Sequence, residues 1–171
     1  MQFHATGMSA ARQRTACAMV GIHEGAAMTG SARELDRASG GVIGRLLRRG
    51  DFSGKAGEVL PILAARKGPA ERVLLVGLGP RAGYGRKQYR RAIVVATQWL
   101  AKSGAANALS YLAVEPVPGA EPYYAARHAV ESVSSTLYRI PDLKSGRKPP
   151  RPKLARFGIA VPTADLAAAR R

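Results

Sequence analysis

Residues 72–83 read RVLLVGLGPRAG. An apolar strand runs without a break into glycines, the pattern in which a strand-to-helix turn carries the pyrophosphate of a dinucleotide. Gly77, Gly79 and Ala82 satisfy the loose form of that fingerprint. The rest of it is missing. A dinucleotide turn needs its helix to begin within the glycine pattern, so that free N–H groups face the phosphates. Here Pro80, Arg81 and residues 83–85 intervene, and the helical pattern starts only near Arg86. The acid that would bind a ribose about 20 positions on is also absent, because no Asp or Glu lies between Glu71 and Glu115. The stretch reads as a strand covered on both faces, followed by a strand-to-helix loop.

Outward from this strand, strands and helices alternate. MQFHA at the start, TACAMVGI at 15–22 and VLPILA at 59–64 read as strands, with the turn-rich DFSGKAGE at 51–58 between the last two. ALSYLAV at 108–114 and FGIAVP at 157–162 complete the set. Leu35, Ala38, Val42 and Leu46 share one helical face between Ser31 and Arg49, with Ser31 as the expected N-cap and Glu34 three residues on. Gly40 and Gly41 weaken that helix by about 1 kcal/mol each relative to Ala, enough to bend or break it. A second helix over 85–103 carries the stripe Tyr89, Ile93, Ala96 and Leu100, with Gly104 past its end. A third follows Pro122 with the stripe Ala126, Val130, Val133 and Leu137. The segment LKSGRKPPRPK at 143–153 is basic and proline-rich and cannot pack a core, and DLAAARR at 165–171 starts a helix. The alternation predicts an α/β fold with a mixed β-sheet flanked by helices.

With 171 residues the chain fits one domain, able to bury about 70% of its unfolded surface. The hydrophobic fraction of 46% is that of a globular protein, which excludes global disorder. Charge is unusual: 27 Lys+Arg against 11 Asp+Glu give +16. Such a surplus attracts polyanions, nucleic acid or an anionic membrane surface; a basic composition balanced by an acidic neighbouring domain is the alternative. Cys17 is the only cysteine, so no internal disulfide forms, and within ACAMV it reads as a buried structural thiol. The short apolar run after Arg12 and Arg14 is broken by Gly21, His23 and Glu24 and is too weak for a signal peptide. No stretch approaches the roughly 20 apolar residues of a membrane span, and the expected location is the cytoplasm.

Catalytic equipment is hard to find. His4, His23 and His128 are scattered without zinc-site spacing, and Glu34 and Asp36, the one close acid pair, face different sides of a helix. Spacing sets His128 beside Tyr124 and Glu131, where it reads as a hydrogen-bonded surface histidine. No serine sits in a nucleophile elbow. Basic residues, in contrast, cluster in three groups: Arg45, Arg48 and Arg49; Arg81, Arg86, Lys87, Arg90 and Arg91; and Lys144, Arg147, Lys148, Arg151, Lys153 and Arg156. The first group ends a helix, where cations suit the dipole; the second begins one, where the dipole opposes them. All three are candidate nucleic-acid contacts.

RQRTACAMVGI, LDRASGGVIGRLLRRGDFSGKAGE, ERVLLVGLG, QYRRAI, AARHAVES and TLYRIPDLKS occur in this order. As an ordered set they resemble the N-terminal domain of bacterial leucyl aminopeptidases, the cytosol aminopeptidases, from about Phe3 to Pro162. The resemblance implies a macro-domain-like N-terminal domain at 1–162 and, at 163–171, the start of a connector helix to a catalytic domain. That second domain would hold two divalent metals (manganese, zinc or magnesium) that activate a water for release of N-terminal amino acids from peptides. The family's active-site sequence NTDAEGR does not occur in this chain, so no catalytic or metal residue carries over and the chain needs no cofactor of its own. Tyr124 and His128 stand where tryptophan and glutamine are common. Family members form homo-hexamers, and some bind double-stranded DNA. The expected function is thus a non-catalytic aminopeptidase domain with a role in assembly and DNA binding; the alternative is a free-standing DNA-binding or regulatory module derived from it. An ADP-ribose site, which a macro-like fold invites, is not expected, since the loops lack an acid placed for an adenine amino group and a shared fold does not carry a shared site.

Overall fold

The computed structural model describes residues 1–63, 68–138 and 153–170. Its strands are β1 (Gln2–Thr6), β2 (Ala18–His23), β3 (Ala27–Met28), β4 (Val59–Leu63), β5 (Arg72–Gly79), β6 (Asn107–Ser110) and β7 (Arg156–Ala160). They form one sheet in the order β1-β7-β6-β2-β5-β4, with β3 paired to β2. The five strands from β1 to β5 in that order are mutually parallel. β4 runs antiparallel to β5 at the edge, and β3 antiparallel to β2, so the sheet is mixed.

The unbroken apolar run of β5 is explained by its two covered faces: from Val73 to Gly79 every residue is buried. Val73 and Leu75 join Val20 and Ile22 on one face, under α1 (Gly30–Ala38) and α2 (Val42–Arg49). Leu74, Val76 and Leu78 join Met19 on the other, under α3 (Arg86–Ser103) and α4 (Pro122–Leu137). The anticipated stripe of α3 is fully used: Tyr89, Ile93, Ala96 and Leu100 are all buried, each of the larger ones contributing about 1.5–3 kcal/mol of transfer free energy. The result is a three-layer α/β/α domain. After Pro162, a 3₁₀ turn leads to α5 (Leu166–Ala169), whose Leu166 and Ala169 pack on the α3/α4 side of the core.

The helix read over 31–49 is two helices. Gly40 and Gly41 both adopt positive φ, which ends α1 and turns the chain into α2. The N-cap of α1 is Thr29, not Ser31: Thr29 is extended and its hydroxyl accepts from the N–H of Ala32, while Ser31 lies buried inside the first turn. α2 has no side-chain cap from its own cap residue, Gly41. Asp36 supplies one from the preceding helix, accepting from the N–H groups of Ile43 and Gly44 at 2.8 and 3.0 Å. Glu34 points elsewhere, to the Ser9 hydroxyl at 2.6 Å, as expected for two acids on different sides of a helix.

Candidate functional site

In an open α/β sheet the default ligand crevice lies at the carboxyl ends of adjacent strands whose connections leave to opposite faces. Here those strands are β2, which leads to α1, and β5, which leads to α3. The crevice between them is closed by the chain itself. The N–H of Gly79 donates to the carbonyl of Gly54, the N–H of Gly77 to that of Glu58, and the N–H of Gly57 to that of Gly77. A Cβ on Gly77 would collide with the carbonyl oxygen of Lys55. The glycine turn is therefore a seat for the loop 51–58, which covers Gly77 and Gly79. One carboxylate holds the loop in shape: Glu58 Oε2 accepts from the N–H groups of Ser53, Gly54 and Lys55 and from the Ser53 hydroxyl.

The neighbouring helix start is closed in the same way. Glu115 Oε1 accepts from the N–H of Gly30 at 2.6 Å, so a carboxylate already occupies the anion-attracting end of α1. His23 is buried beneath, with Nδ1 3.2 Å from the carbonyl of Gly79 and its ring edge-to-face with Tyr84 at 5.2 Å. Burial, with the charge of Glu115 second, pushes the Tyr84 phenol far above its ordinary value.

The basic groups remain. Arg81, Arg86, Lys87, Arg90 and Arg91 are all exposed and are brought together on the 3₁₀ turn and the first two turns of α3. Arg86 and Arg90, and Lys87 and Arg91, are like-charge i,i+4 pairs, each unfavourable by about 0.2–0.5 kcal/mol. The N-cap Gly85 offers no side chain to the first-turn N–H groups, and no acid stands in that turn. Among the described residues no carboxylate lies within 4.0 Å of any of these five cations, the ion pairs there being those of Glu131 with Arg127 and His128. Arg86 is held over the Tyr124 ring, 6.0 Å from its centroid, and Arg91 packs against Gly57 of the closing loop. This end of α3 thus concentrates uncompensated positive charge on a rigid element.

The other candidates do not join it. Arg45, Arg48 and Arg49 are exposed on α2, on the opposite face of the sheet, and Arg45 donates to the carbonyl of Gly40. Lys153 and Arg156 lie at the amino end of β7, while the α3 group follows the carboxyl end of β5. Lys144, Arg147, Lys148 and Arg151 lie outside the described residues. His128 is where its spacing placed it, 3.4 Å from Glu131 and tilted against Tyr124. Cys17 is fully buried, and that burial pushes its thiol up to about 12. Among the described residues no three of His, Cys, Asp and Glu converge to hold a metal, and no helix is long and apolar enough to cross a membrane.

The capping and bracing roles of Asp36, Glu58 and Glu115 are what sequence reading missed. Only Glu58 left a signal, as the last residue of a Ser/Gly-rich turn whose N–H groups needed an acceptor.

Known proteins give this geometry its relatives. Residues 19–147 match the family described as the cytosol aminopeptidase family, N-terminal domain. A probable cytosol aminopeptidase of Idiomarina loihiensis is 38% identical over 163 residues, 95% of this chain and 32% of that protein. The chain spans about a third of the length of the curated relatives it matches. Among solved structures, a tomato leucine aminopeptidase variant aligns with TM-score 0.74 at 17% identity, over 99% of this chain and 35% of that one. A Trypanosoma brucei macrodomain aligns with TM-score 0.72 at 15% identity, over 99% and 65%. The fold is that of the macro domains, as the resemblance implied, and by its sequence the chain belongs to the cytosol aminopeptidase family, as that family's N-terminal domain.

Proposed function

We propose that this chain is the non-catalytic N-terminal domain of a metal-dependent leucyl aminopeptidase, with a role in assembly and in binding double-stranded DNA. The observation that carries the first part is the family match to an N-terminal domain over residues 19–147. The domain boundary at 162, with 163–171 opening a connector, belongs to this proposal. The described residues do not fit the two divalent metals of the family, since no group of three ligating side chains is present among them. In this proposal those metals, the water they activate and the peptide substrate belong to a catalytic domain, and the homo-hexamer forms mainly through catalytic domains, with this domain in a supporting role.

The test is an assay of the purified chain with a leucyl amide substrate, with and without added manganese. The expected result is no release of amino acid above background. Turnover that survives purification and disappears with chelator would overturn the reading.

The DNA part rests on the start of α3. Cations placed where the helix dipole and their own neighbours oppose them are stabilised by an external polyanion, and duplex phosphates supply one. Arg81, Arg86, Lys87, Arg90 and Arg91 form the contact in this proposal. The group on α2 and the pair Lys153 and Arg156 lie elsewhere on the domain, so one straight duplex does not reach all three.

A further inference from the structure

The amino ends of the central strands, opposite the closed crevice, form an open cleft of about 580 Å³, within the roughly 300–1,000 Å³ range of small-molecule sites. Its walls come from five strands in sheet order, which fixes the order of its charges. His4 of β1 and Arg156 of β7 stand at one end, Asn107 of β6 and Arg14 before β2 in the middle, and Glu71 before β5 at the other end. Neighbouring strands are about 4.8 Å apart, so β7 and β5 are separated by about 14 Å. At about 3.5 Å per residue, that gap is within reach of a short peptide meeting flexible side chains at its two ends.

The charged groups are not spent on one another. Arg14, Glu71 and Arg156 are exposed, and among the described residues none lies within 4.0 Å of an opposite charge. The Asn107 amide is oriented by its neighbours: Oδ1 accepts from the Thr15 hydroxyl and from the N–H of Ala16, both at 2.9 Å. Asn107 also lines the cleft, where its NH₂ group is the donor that these two contacts leave free for a ligand. A cationic end with an amide donor, a polar floor and a separate carboxylate is complementary to a molecule with a carboxylate at one end and an ammonium at the other. A simple anion would leave Glu71 opposed, and a simple cation would leave Arg156 and Arg14 opposed.

We infer that this cleft binds short peptides with free ends, the carboxylate on Arg156 and the Asn107 amide, the ammonium on Glu71. The inference is independent of the DNA proposal and of any catalysis by the parent enzyme.

The experiment is an NMR titration of the ¹⁵N-labelled chain with triglycine, with its N-acetylated and C-amidated forms, and with inorganic phosphate. Triglycine is expected to shift the amides of Thr15, Ala16, Glu71 and Asn107 in a saturable way. Glu71→Gln and Arg156→Gln, both exposed changes whose spectra report retained folding, should each weaken it about tenfold, the loss of one charge-assisted hydrogen bond. Each blocked peptide should weaken in the same measure. No saturable shift, equal binding by either variant, or equal binding of the acetylated peptide or of phosphate at the same amides would overturn the inference.

Discussion

Glu58 folds back onto Gly54: its Oε2 accepts the Gly54 N–H at 3.0 Å, and the same oxygen takes the N–H groups of Ser53 and Lys55. This one carboxylate shapes the loop that fills the crevice between β2 and β5. Glu58→Ala leaves those donors to water and should lower stability by about 2 kcal/mol, the cost of losing charged hydrogen bonds at a part-buried site. Gly77→Ala drives a methyl into the Lys55 carbonyl and should cost about 3 kcal/mol. At roughly 2–4 °C per kcal/mol, thermal unfolding reads both. A Gly77→Ala chain as stable as the wild type would mean that the loop does not sit on β5.

The architecture was legible because its signals were local. β5 was read to the residue from its apolar run, and α3 from four side chains at helical spacing that all prove buried. The break at Gly40–Gly41 was visible in composition, while the cap at Thr29 was not, since Ser31 offered an equally good capping residue two positions later. The closed crevice was only half legible. The missing ribose acid argued against a cofactor, but that Lys55 and Glu115 occupy the space depends on contacts across 22 and 85 residues of sequence, which no local pattern encodes. Nor does charge clustering along the chain show that the sheet separates Arg45–Arg49 from Arg81–Arg91.

Buried acids of high pKa set an alkaline limit. The thiol of Cys17 is raised from 9.0 to about 12, and the phenols of Tyr84, Tyr89 and Tyr111 are raised as well, all chiefly by burial. The unfolded chain therefore ionises first, and stability falls as pH rises above the unfolded values. Urea midpoints should be level up to about pH 9 and then decline towards pH 12, by up to about 1.4 kcal/mol per pH unit for each group. Cys17→Ala should remove the earliest part of that decline. A native thiol that reacts with a disulfide reagent at pH 8 as fast as in urea would contradict the burial of Cys17.

Assembly should need the rest of the parent enzyme. On the proposal that the hexamer forms mainly through catalytic domains, sedimentation of this chain at micromolar concentration should give a monomer or a weakly concentration-dependent species. A stable hexamer would place the assembly interface on this domain instead.

The central claim, that the start of α3 is a phosphate contact, is tested most directly by titrating a fluorescent duplex at two salt concentrations, with the wild-type chain and with Arg86, Lys87, Arg90 and Arg91 all changed to Ala. Each phosphate neutralised adds about 0.9 to the slope of log affinity against log salt, so wild-type binding should weaken steeply with salt. The variant should bind more weakly and with a slope shallower by roughly 3–4, while its thermal stability holds or rises as like-charge pairs and an opposed dipole are relieved. Different duplex sequences should bind about equally, because phosphate contacts position without specifying. Equal binding by the two proteins, or affinity indifferent to salt, would contradict the account and leave the charge as a solvated face.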